Sequence, residues 1–291
     1  MTNGFLASEL RKEERQKPLF HVVPVPMEMT VSYGGGTAKG PDAILVASQQ
    51  LERWDGYSEP FCEGITTLPA VDCSGSVEQI LQRIEVVTVS VLETGGIPVL
   101  LGGEHTVSLG AIRALAKKQG QEPFGLVQID AHADLRDSYE ESPFRHACVV
   151  RRAMEECGCQ LFQFGIRALC LEEVEYRHRQ CISYLDGAEI PNTPLSRFRL
   201  PEDFPENIYL TIDVDGLDPA IIPATGTPVP GGPTWYQTLT FINSVLAGRN
   251  LVGFDCVELA PQAGDHRSDF AAAQLTYSVM GMVSRSRAGK S

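Results

Sequence analysis

The sequence predicts an α/β fold built on a parallel sheet covered on both faces. Three observations predict it: apolar runs of strand length recur, helical patterns separate them, and polar motifs follow directly on several runs. The runs are Phe20 to Val25, Ile97 to Leu101, Phe124 to Ile129, Leu161 to Phe164, Ile208 to Ile212 and Leu251 to Phe254. Most are apolar at successive positions, as strands buried on both faces are. The clearest helix begins at Ser76. Val77, Ile80, Leu81, Ile84, Val87 and Val91 fall at helical spacing, Ser76 with Gln79 reads as a capping box, and Gly95-Gly96 stops the helix. A second pattern runs from Thr106 through Leu115 to near Gly120, and a third from Phe270 to Val283. Right-handed crossovers then place the ligand site beyond the C-terminal ends of the strands.

Hydrophobic residues make up 43% of the 291 and charged residues 21%, a composition that builds a sizeable core and argues against disorder. No repeat, low-complexity tract or linker divides the chain, so residues 1–291 read as one domain, with Met1 to Pro18 as a polar N-terminal extension. That segment does not read as a signal peptide, and no run of about 18 apolar residues suggests a membrane span. Cys62, Cys73, Cys148, Cys157, Cys159, Cys170, Cys181 and Cys256 form no C-x-x-C pair, so reduced thiols in a cytoplasmic protein are expected. The net charge of −13 argues against nucleic acid or an anionic membrane as partner. It favours the approach of a cation, although solubility alone explains many acidic surfaces.

Three segments carry the chemistry. Gly102-Gly103-Glu104-His105-Thr106 follows the run ending at Leu101, Asp130-Ala131-His132-Ala133-Asp134 follows Ile129, and Asp213-Val214-Asp215-Gly216-Leu217-Asp218-Pro219 follows Ile212. Asp130, His132 and Asp134 stand at i, i+2 and i+4, which point the same way in an extended chain. Two carboxylates and an imidazole on one face repel unless a cation sits among them. Asp213 and Asp215 repeat the spacing, and His105 completes a set of four carboxylates and two imidazoles. Alone, an Asp-x-His is more often a capped turn and an Asp-x-Asp a solvated loop. All three segments at strand ends of one sheet make the metal reading the stronger.

Six ligands are too many for one tetrahedral zinc. An oxygen-rich set suits Mn²⁺ or Mg²⁺, and two imidazoles tilt it toward Mn²⁺. Two ions about 3.5–4 Å apart sharing carboxylates and one water would lower that water's pKa toward about 7, which makes hydrolysis the expected reaction. The stretch from Gly34 to Gly40 lacks the G-x-x-x-x-G-K-[ST] order and reads as a loop, and Pro223 to Pro233 is placed at the mouth of the site.

These segments resemble the ureohydrolase family, which contains arginase and agmatinase. Ala224-Thr225-Gly226-Thr227-Pro228 with Gly231-Gly232, and Asp255-Cys256-Val257-Glu258, extend the resemblance over nearly the whole chain. It implies a three-layer α/β/α fold, a mostly parallel sheet of about eight strands, two Mn²⁺ per chain and a homotrimer or homohexamer. It also implies that Asp130 and Asp213 bridge the ions, with His105 and Asp134 completing one and His132 and Asp215 the other. Asp134 would pass a proton to the leaving amine, Glu258 would pair with the guanidinium, His146 would shuttle protons or orient substrate, and Thr227 would line the pocket.

For the substrate, the resemblance points to agmatine. Arginases carry an Asn two residues after the last ligand of the second motif, then Ser-Gly-Asn before the histidine. This chain reads Asp134-Leu135-Arg136-Asp137-Ser138-Tyr139 and then Phe144-Arg145-His146, which with Ser32-Tyr33 looks like agmatinase. Pro233 and Gln237 depart from the family's usual Leu and Glu, which bears on loop support and substrate fit. Arg136 and Arg145 could attract a carboxylate, which leaves guanidinobutyrate open beside guanidinopropionate, arginine and formiminoglutamate. A non-catalytic metal-binding scaffold would have lost ligands, and none of the six is lost. A metallophosphoesterase needs a Gly-Asn-His motif that is absent, and a one-zinc deacetylase would not use His105 and Asp134.

Overall fold

Each apolar run singled out in the sequence forms a strand in the computed structural model, which describes residues 4–9, 17–120 and 122–289. They are β1 (Phe20–Val25), β3 (Ile97–Gly102), β4 (Gly125–Ile129), β5 (Gln160–Phe164), β7 (Asn207–Asp213) and β8 (Asn250–Val257). Two more strands, β2 (Ile65–Thr67) and β6 (Ser183–Leu185), close the two edges. Each has three residues and is only partly buried, too short to print an apolar run on the sequence. All eight lie in one sheet, ordered β2-β1-β3-β8-β7-β4-β5-β6, and every described pairing is parallel.

Among the described residues seven α-helices cover the sheet: α1 (Gly40–Ser48), α2 (Val77–Glu93), α3 (Ser108–Gln119), α4 (Val149–Cys157), α5 (Leu171–Arg179), α6 (Trp235–Leu246) and α7 (Arg267–Ala288). Successive strand residues feed opposite layers. Val22 and Val99 belong to the core that also holds residues of α1, α6 and α7, whereas Val23 and Leu100 belong to the core that holds residues of α2, α3, α4 and α5. The expected capping box of α2 is present, with the Gln79 amide donating to Ser76 Oγ and the Ser76 amide donating to Gln79 Oε1. The third helical pattern lies inside α7, which extends past it at both ends.

Two expectations need correction. The glycine-rich stretch is loop only as far as Gly36. Thr37–Lys39 forms a 3-10 turn and Gly40 opens α1, where Pro41 supplies a preset φ at the helix start. The Glu28 carboxylate accepts the Gly36 and Ala38 amides and so neutralises donors at that end. The expected polar extension, Met1 to Pro18, falls partly on residues 1–3 and 10–16, outside the described residues. Within the described part, Phe5 and Leu6 are fully buried. Phe5 packs on Tyr277 with ring centroids 6.4 Å apart, and the two amides donate to Thr67 Oγ1 (2.8 Å) and Ser48 Oγ (2.9 Å). Two apolar residues in a polar stretch carry no periodicity, so the sequence hides this anchor. All eight cysteines are free thiols, and no helix among the described residues is long and apolar enough to cross a membrane.

Candidate metal centre

Four central strands lie side by side in the order β3-β8-β7-β4, and each delivers site residues at its C-terminal end. His105 opens the 3-10 turn after β3, and Asp130, His132 and Asp134 follow β4. Asp213 ends β7, Asp215 sits in the next turn, and Glu258 follows β8. The turns crowd one another: a Cβ at Gly216 would stand 2.7 Å from the Asp130 amide nitrogen, so only glycine lets the end of β7 approach β4 this closely. Asp134 (φ 52°) and Glu258 (φ 65°) take left-handed backbone conformations that cost a non-glycine residue about 1–3 kcal/mol.

The structure brings the six ligand candidates together. His105, Asp130 and Asp134 form one group whose ligand atoms all lie within 4.8 Å, and Asp130, His132 and Asp215 form a second. Asp130 belongs to both. Asp213 reaches His105 Nδ1 through Oδ2 (3.4 Å) and accepts the Asp215 amide at Oδ1 (2.8 Å). Asp130 Oδ2 and Asp134 Oδ2 each stand 3.2 Å from His105 Nδ1, while His132 Nδ1 lies 3.0 Å from Asp215 Oδ2.

The hydrogen bonds around His105 test whether this set suits a cation. The Thr211 hydroxyl donates to Asp255 Oδ1 (2.7 Å), so toward His105 Nε2 (2.8 Å) it can only accept. Nε2 therefore carries the proton in the neutral ring, and the Nδ1 lone pair faces the carboxylates. Nδ1 is a buried polar atom with no hydrogen-bond partner among the described residues, although three carboxylate oxygens lie within 3.4 Å. A lone pair and carboxylate oxygens converging on one point are compatible only around positive charge.

Titration behaviour carries the same message. Burial lowers the pKa of His105, but Asp130, Asp134 and Asp213 outweigh it and hold the ring well above its usual range. Burial works the same way on His132, which Asp130 and Asp215 push up to about 12. Burial, then the charge of Asp130, raises Asp134; burial, then Asp215 and Asp130, raises Asp213. Burial raises Asp130 too, yet the two histidines pull it below the ordinary carboxylate range. Without a cation, protons are drawn in to relieve the crowding.

Beside this cluster, His146 Nδ1 donates to the Thr30 carbonyl (2.7 Å), leaving Nε2 to face Ser32 Oγ at 3.3 Å. Burial lowers its pKa, so the ring is neutral near pH 7. Glu258 Oε1 accepts the His105 amide at 2.7 Å, and burial raises this carboxyl to about 8. Asp134, Asp213, Asp215, Glu258 and Thr227 line a small inner cavity of about 20 Å³. An outer cleft of about 320 Å³ shares Ser32, His132, Asp134, His146 and Thr227 with it and adds Arg136 and Tyr139.

The arginase family model matches residues 19–281. The chain belongs to the arginase family. It is 37% identical over 282 residues to the N(1)-aminopropylagmatine ureohydrolase of Synechocystis sp., covering 92% of this chain and 90% of that one. It is 35% identical over 262 residues to the agmatinase of Bacillus subtilis, covering 88% of each. The agmatine ureohydrolase of Thermoplasma volcanium superposes with a TM-score of 0.87 at 29% identity, covering 99% of this chain and 96% of that one. This arginase-family chain is thus a ureohydrolase, an enzyme acting on the C–N bond of a guanidino compound.

In this family member the sequence departures have local explanations. Gln237 is the third residue of α6 and closes a capping box with Thr234: its amide donates to Thr234 Oγ1 and its Oε1 accepts the Thr234 amide (2.9 Å). A glutamine therefore supports this loop as a capping residue. Pro233 precedes that cap, and its carbonyl accepts the Asp218 amide. Arg145 is engaged by Glu140 (2.6 Å) and the Thr30 carbonyl, whereas Arg136 stands on the wall of the outer cleft, 5.1 Å from the centre of the Tyr139 ring. The segment from Pro223 to Pro233 does reach the mouth, where a Cβ at Gly34 would stand 2.8 Å from Gly226 Cα.

Sequence reasoning missed the supporting residues. Buried Glu104 accepts the Met29 and Thr30 amides and the Thr30 hydroxyl, and Thr30 in turn holds His146. Arg167 donates to the carbonyls of Asp215, Gly216, Leu217 and Val229, tying the β7 turn to the 223–233 segment. Glu104 lies inside the first ligand motif, Asp255 three residues before Glu258, and Thr211 two residues before Asp213 on the same strand face. The residues were in view, but their partners were not.

Proposed function

We propose that this ureohydrolase holds two manganese ions and hydrolyses agmatine to putrescine and urea. The observation that carries the reading is the sharing of Asp130 between two ligand groups. Charge counting supports two ions: Asp130, Asp134, Asp213 and Asp215 carry four negative charges, which two divalent cations balance. Oxygen-rich ligands with two imidazoles suit Mn²⁺. When bound, the ions would supply an activated water and neutralise developing charge.

The chain's own residues do the rest. Glu258 spends Oε1 on the His105 amide, leaving Oε2 for the guanidinium at the inner cavity. Burial makes that carboxyl reluctant to ionise, and a guanidinium beside it reverses the preference. Asp134 touches both cavities; with Oδ2 turned toward His105 Nδ1, its other oxygen, Oδ1, would take the proton given up by the attacking water and pass it to the leaving amine. Neutral His146 offers the Nε2 lone pair to a substrate N–H, and Thr227 flanks the chain of the substrate where the cavities meet.

A second reading is N(1)-aminopropylagmatine. The outer cleft of about 320 Å³ has room for a longer cationic tail, and the relative at 37% identity is named for that substrate. Urea release with Mn²⁺, compared for agmatine, N(1)-aminopropylagmatine, arginine and 4-guanidinobutyrate, tests both. Agmatine should exceed arginine about a hundredfold in kcat/KM, as an unpaired buried carboxylate costing about 3 kcal/mol implies. Faster turnover of arginine or guanidinobutyrate overturns the substrate, and a clear preference for the aminopropyl compound selects the second reading.

A further inference from the structure

Two glutamines stand where parallel strands otherwise bury apolar residues. Gln128 on β4 and Gln163 on β5 are directly opposed in the strand register, and both are fully buried. Each belongs to one hydrogen-bonded chain. Arg177 Nε donates to Gln163 Oε1 (2.7 Å), Gln163 Nε2 donates to Gln128 Oε1 (2.6 Å), and Gln128 Nε2 donates to Asp130 Oδ2 (2.8 Å). The second proton of each amide is also used, by the Ala133 carbonyl (2.9 Å) and the His132 carbonyl (3.2 Å). At its far end Arg177 makes a bidentate pair with Asp186 (2.8 and 3.0 Å).

The direction of this chain is not arbitrary. A guanidinium can only donate, so Gln163 must turn its oxygen toward Arg177 and its nitrogen toward Gln128. Gln128 is forced the same way and meets Asp130 with an N–H. The His132 amide donates to the other oxygen, Oδ1, at 2.6 Å. Each oxygen of Asp130 thus accepts one fixed donor, Oδ2 from the Gln128 side chain and Oδ1 from the His132 backbone.

We propose that Arg177, Gln163 and Gln128 are positioning residues, forming a one-way relay that orients the Asp130 carboxylate to hold divalent cations. The proposal rests on the reading of Asp130 as a shared ligand. Reversing the last amide would present Gln128 Oε1 to Asp130 Oδ2, two acceptors face to face. Outer-shell partners of metal ligands typically change metal affinity about 10–100-fold, and this relay acts on the residue common to both groups.

The test is Mn²⁺ affinity by competition with a fluorescent chelator, alongside the thermal transition of each protein. Gln128→Leu should weaken Mn²⁺ binding about tenfold or more. Gln163→Glu still accepts from Arg177 but can no longer donate to Gln128, so it should turn the Gln128 amide around and weaken binding at least as much. In a Gln128→Leu background the same Gln163→Glu change should add little. Equal effects of Gln163→Glu in both backgrounds, or unchanged affinity in Gln128→Leu, would overturn the relay. If Gln163→Glu does not fold, Gln128→Leu alone decides. Asp130→Ala separates the two layers: if it still binds two ions tightly, the ligand reading itself fails, whatever the glutamine variants do.

Discussion

The two halves of the cluster are built differently. The His105 ring is 1% exposed, whereas the His132 ring is 29% exposed and borders the outer cleft. His105 is braced from behind by Thr211, which is held by Asp255, itself receiving the Tyr209 hydroxyl and the Ile212 amide. His132 has Asp215 and Asp130 beside Nδ1, and among the described residues no comparable buried relay stands behind the ring. Preorganised, water-excluded ligands spend little on ordering when an ion arrives. Two groups sharing Asp130 therefore need not share one affinity: the inner half should bind its ion more tightly and release it more slowly.

The largest expected effect comes from removing what the halves share. Asp130→Ala should abolish both sites, with elemental analysis finding close to no metal per chain and activity falling further than the 10–100-fold typical of an outer-shell change. Two tightly held ions after that substitution would mean that Asp130 is not shared between the two groups. Next, His105→Ala and His132→Ala separate the halves. His105→Ala should lose the tight ion, while His132→Ala should retain close to one per chain through dialysis. The reverse ranking would show that neither burial nor bracing decides which ion is held more tightly. Thr211→Val keeps the shape at the back of His105 but removes its hydrogen bond, and should weaken the inner site about tenfold with the outer one unchanged.

Acidification sharpens the contrast more gently. Burial and crowding raise Asp134 and Asp213, and the carboxylates outweigh burial at both histidines. Ions must therefore displace protons, and metal affinity should fall as pH drops. A titration showing pH-independent affinity between about pH 8 and 5 would contradict this. The smallest effect lies outside the cluster. Burial lowers the pKa of His21. The unfolded chain then binds a proton that the folded chain resists, so this contribution to stability is complete above about pH 6.5 and is lost as pH falls toward the lowered folded value. Between about pH 7.5 and 5.5 the wild-type Tm should drop slightly more than that of His21→Asn, and equal drops would remove His21 from the account.

What could be read in the sequence followed from what local pattern can encode. Central strands such as β4 are buried on both faces and print continuous apolar runs, whereas β2 and β6 sit at edges with three residues each. The ligand candidates were visible because Asp130, His132 and Asp134 are spaced along one strand end. Their supports were not, because they depend on pairings between distant segments. Gln128 meets Gln163 only through the register of β4 and β5, and Thr211 reaches Asp255 only through that of β7 and β8. Phe5 and Leu6 stayed hidden for a related reason: their partners, Tyr277 and Ser48, lie far along the chain.

The place of β8 has a consequence for how this protein comes into being. Among the described strands it is the last in chain order, yet it sits in the middle of the sheet, between β3 and β7. A nascent chain that ends before Asn250 has two separate ribbons, β2-β1-β3 and β7-β4-β5-β6, each with an unpaired inner edge. His105 belongs to the first ribbon, and Asp130, His132, Asp213 and Asp215 to the second. Such long-range pairing is slow to form, and bare strand edges invite association with other chains. The final strand is therefore the seam of the sheet: until it is inserted no strand pairing joins the two ribbons, and from then on metal can act as a clasp that favours the finished fold over every earlier one.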